Sequence, residues 1–222
     1  MDGAFLLTMT NSAPGREQAF EDWYRTTHLP EVVSVPSVSN GKLHTAVEQQ
    51  PARWRHAALY GVPGDPVAAL SQVFEYGAAG KLAPPTDIDQ ASVMMAIATP
   101  ITERRSAGGA ADPKDLLFLV LTNPKEGQEQ EYNRWYNDDH IDDVLAVPGF
   151  VAVQRFRLSK HPAMPAPEWD YVALYEVAHD KVQEAFEGLA KTGGTDAMPV
   201  SDSLELEGLV TALYRPVSTE TK

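Results

Sequence analysis

Apolar positions along the chain fall in short runs separated by polar stretches rich in proline and glycine. Phe5–Asn11 (FLLTMTN) is such a run, ended by Ser-Ala-Pro-Gly, and predicts a buried strand and a turn. From Arg16 to about Thr27 the bulky Phe20, Trp23 and Tyr24 sit three to four residues apart, which predicts a helix. Pro30 lacks the amide proton a helix interior needs, so the helix is expected to break near His28–Leu29, with one more turn over Glu31–Val35. Strands follow at Val38–Val47 and Trp54–Val62, then a helix opening at Pro66 and running to Phe74, a Gly/Pro-rich loop over Gly77–Thr86, and a strand at Val93–Thr102. Residues 104–115 are small, polar and unpatterned, and read as a linker. The same order then returns: strand Leu116–Asn123, helix Gln128–Asp139, strands Val151–Leu158 and Trp169–Val177, helix Asp180–Leu189, strand Leu204–Tyr214.

The return is a duplication and not a coincidence of pattern. Phe5–Val38 aligns without a gap on Leu117–Phe150 at an offset of 112, with twelve identities that include Trp23/Trp135, Tyr24/Tyr136, His28/His140 and Pro36/Pro148. Farther on, Trp54/Trp169, Leu59/Leu174, Tyr60/Tyr175 and Val62/Val177 match at an offset of 115, so three residues were added in the Ser159–Pro167 loop. A fixed internal period outranks local propensity when a fold is chosen. Each copy reads β-α-β-β-α-β, the split βαβ or ferredoxin-like arrangement. Such a unit has helices on one sheet face only, and the other face needs a cover. The second copy supplies it. The expectation is an α+β chain of two tandem ferredoxin-like repeats, residues 1–103 and 116–222, packed sheet to sheet.

Composition narrows the functions. The formal net charge is −13, which disfavours a nucleic-acid backbone or an anionic membrane surface as partner. With no cysteine, disulfides, thiolate metal sites and cysteine nucleophiles are excluded. The first apolar run follows Asp2 without a basic leader and is too short for a signal or spanning segment, so a cytoplasmic protein is expected. No phosphate loop, GxGxxG or GxSxG elbow occurs, which leaves nucleotide and serine-hydrolase chemistry unsupported.

Candidate chemistry gathers at Tyr132–Phe150 (YNRWYNDDHIDDVLAVPGF). On a helical wheel Trp135, Tyr136, Val144 and Val147 share a side with His140, Asp139 and Asp143. With the helix ending near His140, the macrodipole and the neighbouring acids would favour the imidazolium. A histidine among carboxylates and aromatics can act as a general acid or base beside an apolar substrate. The same histidine can equally be a helix cap or a structural residue, and Trp23, Tyr24, Trp135 and Tyr136 can equally be core. The acid run has only one acid in its counterpart RTTHLPE, and consecutive helical residues point to different faces, so no metal site is expected. Arg155 and Arg157 share a strand face, where one can bind an anionic or phenolic oxygen or both can line a solvated edge.

The copies WYRTTHLPEVVSVPSV and WYNDDHIDDVLAVPGFVAVQRFR resemble the "WY…H-x-x-D/E-V/L-L-x-V-P-G-F…Q-R-F" signature of the dimeric α/β-barrel superfamily, nearest its EthD-like branch. The resemblance covers both halves. It implies an intramolecular dimeric α/β barrel, acting as a monomeric pseudo-dimer or forming a homodimer. It also implies a modest apolar cavity between sheet and helices for an apolar or aromatic metabolite. It maps the family histidine onto His28 and His140, and the helix aromatics onto Trp23/Tyr24 and Trp135/Tyr136. The first copy departs in having Ser37 for glycine and no Gln-Arg-Phe; the second has Asp142 where the first has Pro30. The function expected is cofactor-independent lyase, cyclase or isomerase chemistry by proton transfer. In it His140 and His28 serve as acid/base, Asp139 or Asp143 orients His140, and Tyr136 or Arg155 holds a substrate oxygen. The alternatives are a non-catalytic binder of apolar ligands and a haem-dependent or monooxygenase-type barrel enzyme.

Overall fold

The structure, a computed structural model, describes residues 3–47, 52–108 and 112–222; residues 109–111, in the expected linker, lie outside the described residues. The first half runs β1 (Phe5–Ser12), α1 (Glu17–Trp23), a π-turn (Tyr24–His28), α2 (Leu29–Ser34), β2 (Asn40–Ala46), β3 (His56–Gly61), α3 (Pro66–Ala78) and β4 (Ile88–Pro100). A two-residue strand, β5 (Arg105–Ser106), lies in the linker segment. The second half runs β6 (Leu116–Pro124), α4 (Glu129–Trp135), a π-turn (Tyr136–His140), α5 (Ile141–Leu145), β7 (Phe150–Ser159), β8 (Tyr171–Val177), α6 (Val182–Thr192) and β9 (Leu204–Thr221).

Within each half the antiparallel strand order is that of the ferredoxin-like unit, β4-β1-β3-β2 and β9-β6-β8-β7. The halves then exchange edges. Strand β2 pairs with the far end of β9, from Asn40↔Thr221 to Ala46↔Tyr214, and β4 pairs with β7, from Ile97↔Ser159 to Pro100↔Phe156. Eight strands therefore close into an antiparallel barrel, and β5 continues along β7 (Arg105↔Val153) beyond the β4 pairing. Closure removes the open edges that a single half would expose. It needs long fourth strands, and this is where β9 outruns the sequence expectation of Tyr214. Arg215–Thr221 is polar and contains Pro216, which argues against a strand. Pro216 sits where the register shifts between Leu43 and His44, and a bulge is one of the few places a ladder tolerates proline.

Side chains alternate between two environments. The barrel lumen holds Phe5, Leu7, Met9, Leu59, Leu119, Leu121, Phe156, Leu174 and Tyr214, with Phe5 and Phe156 from opposite halves meeting edge to face at 4.7 Å. The outer face of each sheet packs under its own helices as two further apolar clusters. One end of the barrel is plugged by Trp54 and Trp169, in T-shaped contact at 5.7 Å. Their indole N–H groups donate to the carbonyls of Ser92 at 2.6 Å and Gly208 at 2.7 Å. Arg53 lies over both rings and forks onto Glu168 at 2.7 and 2.9 Å. The three-residue insertion has a structural use too. It carries His161 onto α3 of the other half, where its Nε2 meets Ser71 Oγ at 2.9 Å and its ring meets Phe74 at 5.3 Å. No helix among the described residues is long and apolar enough to cross a membrane.

The expected helix break at His28–Leu29 does not occur. The chain passes from α1 through the π-turn into α2 with helical dihedrals throughout. Pro30 directly follows the i→i−5 bond from Leu29 to Tyr24, where the regular α-helical ladder is already interrupted.

Removing the plug tests the closure. Trp169→Ala should destabilise the protein by about 3–5 kcal/mol in denaturant unfolding, the cost of a large aromatic deleted from a packed core; a loss below about 1 kcal/mol would mean that the barrel end is not packed as described.

Candidate functional site

The two histidines are set by the π-turns. Leu29 N–H donates to Tyr24 carbonyl and Ile141 N–H to Tyr136 carbonyl, five residues back in each case. Wider winding brings residues five apart over one another, so His28 stacks on Trp23 (4.8 Å between centroids, 22° between planes) and His140 on Trp135 (4.7 Å, 29°). Tyr24 and Tyr136 meet the same imidazoles edge-on at 4.8 and 4.9 Å. π-turns inside α-helices are frequent at functional sites. The extra residue per turn also explains why a 100° wheel misplaces the acids.

Asp139 and Asp142 turn to arginines and not to the imidazole. Asp139 is exposed and pairs with Arg134 at 3.2 Å, and Asp142 pairs with Arg105 at 3.0 Å. Asp143 is half-buried, and burial together with Asp139 and Asp142 pushes its carboxyl up. Nδ1 of His140 is buried without a hydrogen-bond partner, as is Nδ1 of His28, so neither Asp139 nor Asp143 orients the ring through that nitrogen; stacking on Trp135 does. The expected imidazolium is also overturned. The helix does not end at His140, so no C-terminal dipole favours the cation. Burial first, and the Arg155 charge second, pull its pKa down to about 4; burial alone does the same to His28.

In the second half these residues border a cavity of 230 Å³ between sheet and helix. Trp135, Tyr136, His140 and Val144 come from the helical segment, Phe118, Val120, Thr122 and Tyr175 from β6 and β8, Leu189 from α6, Met198 from the α6–β9 loop, and Leu204, Leu206 and Leu209 from β9. Tyr175 O–H donates to the Tyr136 oxygen at 3.1 Å, and burial pushes the Tyr136 hydroxyl pKa up, so it stays protonated. Tyr24 and Tyr60 make the equivalent pair at 2.8 Å. Trp135 N–H donates to Pro199 carbonyl at 3.1 Å.

Arg155 is 0% exposed and does not border the cavity. It lies behind Tyr136, its guanidinium 3.9 Å from that ring's centroid and 5.0 Å from Tyr132's. Its two terminal nitrogens donate to the side-chain oxygens of Asn137 and Asn133, while Nε has no partner. Arg157, exposed and meeting Glu129 at 2.9 Å, is therefore the solvated arginine, though its strand is paired on both sides, and Arg155 is not. The first copy has Leu43 at the position of Arg155, Glu21 at Asn133 and Arg25 at Asn137. The buried cation thus distinguishes the two otherwise parallel sites. Met198 was missed by sequence reasoning because the loop between α6 and β9 has no period to read, and Leu189, Leu204, Leu206 and Leu209 lie in a helix and a strand that were expected but not as lining of the cavity. Phe118, Val120 and Thr122 were available from strand alternation once the helix-facing side is known.

The chain matches no protein-family model and no curated protein. Among solved structures it is similar over its full length to an anthrone oxidase-like protein (TM-score 0.64, 12% identity, 94% of that chain). It is likewise similar to a monooxygenase-like protein of Fusobacterium nucleatum subsp. nucleatum (0.60, 10%, 100% of this chain and 95% of that one). A chlorite dismutase variant of Candidatus Nitrospira defluvii matches at 0.52 and 9% identity, over 98% of this chain and 92% of that one. The fold is that of the dimeric α/β barrels, with both halves in one chain.

Two outcomes follow. Burial holds His28, His44, His56 and His140 each at about 4, below the unfolded value of about 6.5. The unfolded chain therefore binds more protons between these values, and stability falls as pH drops from about 6.5 to about 4, then levels; a melting temperature flat over that range would contradict the buried neutral rings. Arg155→Leu, which copies the first half, should raise the His140 pKa above about 4 in an NMR titration of the ring protons, and an unchanged value would remove Arg155 from its environment.

Proposed function

We propose that the chain is a cofactor-independent, EthD-like small-molecule enzyme in which His140 moves a proton on an apolar or aromatic metabolite bound in the helix-side cavity. The observation that carries this reading is a neutral imidazole, stacked on Trp135, bordering an otherwise apolar cavity. Neutral imidazole is the form that accepts a proton at ordinary pH. Tyr136 can donate its hydroxyl proton to a substrate oxygen, since its own oxygen already accepts from Tyr175. The proton taken up by His140 is held against burial and against the charge of Arg155. Passing it on to a second atom or a leaving group is therefore favourable, which suits isomerase, cyclase or lyase steps. Trp135 positions the ring, the role first expected of Asp139 and Asp143, and Arg155 acts through Tyr136 and not on the substrate directly. His28 has the same stacked geometry and is the second candidate base, with Trp23 and Tyr24 around it. The absence of cysteine suits a cytoplasmic setting.

Haem does not fit these residues. A histidine that ligates a metal almost always donates its other ring N–H to a partner, and Nδ1 of both His28 and His140 has none. No lysine or arginine borders the cavity to meet propionates, and 230 Å³ is small for a macrocycle.

With a turned-over substrate found by product analysis of aromatic and polyketide-type metabolites, His140→Ala should lower kcat about 10²–10⁴-fold while leaving the melting curve intact. The wild-type rate should rise with pH through about 4 to a plateau, as the base loses its proton. An unfolded variant, full activity, or stoichiometric binding without product would overturn the assignment.

A further inference from the structure

The larger cavity lies elsewhere, inside the barrel. Opposite the Trp54–Trp169 plug, the lumen opens into a cup of 500 Å³, within the range of about 300–1,000 Å³ typical of small-molecule pockets. Its wall is apolar, from Leu59, Leu117, Phe156 and Leu174. Two mostly buried polar side chains, His44 and Gln154, border it. His44 is 8% exposed and its Nδ1 has no partner; Gln154 is 6% exposed and its Oε1 has no partner, although its amide N–H donates to Thr102 carbonyl at 3.1 Å.

The copies diverge at this spot. The apolar wall is duplicated, since Leu59 and Leu174 correspond, but Lys42 corresponds to Gln154, His44 to Phe156 and Gly61 to Glu176. Edge exchange between the halves sets these unlike residues around one opening, and gives a symmetric barrel an asymmetric mouth. At its rim Arg104 forks onto Glu176 at 2.6 and 3.0 Å, so that carboxylate already has its counter-charge. The two groups buried deeper are uncharged: one is an amide, and burial with Lys42 nearby keeps the His44 ring neutral. Lys42, Asp112 and Asp115 line the opening as well, so charges of both signs stand at the rim, and a charged ligand group carried past them to His44 and Gln154 would leave its counter-ion behind.

We infer that this mouth is a second small-molecule site, binding a neutral amphiphile whose apolar body lies on Leu59, Leu117, Phe156 and Leu174 and whose hydroxyl or amide group meets the Gln154 and His44 side chains. It is separate from the helix-side cavity, shares no lining residue with it, and does not depend on the activity proposed for His140.

Benzyl alcohol and benzamide serve as probes, with toluene and benzoate as controls, titrated into the intact labelled protein while NMR follows the Gln154 side-chain amide and the His44 ring. Saturable shifts at both groups with the alcohol and the amide, weaker with toluene and with benzoate, are expected. Gln154→Met should weaken that binding about tenfold, as for loss of one hydrogen bond in a buried site. Should this variant fail to fold, the wild-type shifts decide by themselves. Shifts confined to Trp135, His140 and Met198, no saturable shift at the mouth, or toluene or benzoate binding equally well would overturn the proposal. None of these outcomes bears on whether His140 is a base.

Discussion

A four-stranded sheet with helices on one face leaves an apolar face and two open edges, and this chain removes both in one step. Strand β9 reaches past its own sheet to β2, and β4 reaches past its own to β7. That exchange forms the lumen, buries Phe5 against Phe156, and brings the tryptophans of the two copies together at one end. Once the lumen is packed from both sides, each sheet is a stiff floor for its helices. The histidines and tyrosines of the candidate site are held between that floor and the π-turns.

The π-turn is the local device with the largest consequence. Without it, residues five apart on a helix point in different directions; with it, His140 lies on Trp135 and His28 on Trp23. Stacking buries the imidazole, and burial sets its charge. A ring placed at a helix end among acids would be a cation. The same ring inside a continuous helical segment, with Asp139 and Asp142 turned to Arg134 and Arg105, is held neutral by burial.

Duplication supplied two equal sets of parts, and small differences made them unequal. Arg155 in place of Leu43 puts a buried cation behind Tyr136 in the second half only. At the barrel mouth, Gln154 in place of Lys42 and Phe156 in place of His44 set unlike side chains around one opening. A single chain permits this. A dimer of identical chains would carry every substitution twice.

By itself the sequence determined the duplication, the βαββαβ order of each half, the sheet-to-sheet packing and the pairing of Trp23, Tyr24 and His28 with Trp135, Tyr136 and His140. All of these follow from period and spacing, which are local or self-referential. It did not determine the end of β9, because Arg215–Thr221 is polar, holds a proline, and pairs only with a strand some 170 positions away (Thr45↔Arg215). Nor did it determine the charge of the histidines, the direction of Asp139 and Asp143, or the burial of Arg155. Helix winding and desolvation fix those, and both depend on what the opposite layer places against the segment. Tertiary structure alone decided them, because a pKa and a side-chain direction are properties of surroundings that lie far apart along the chain.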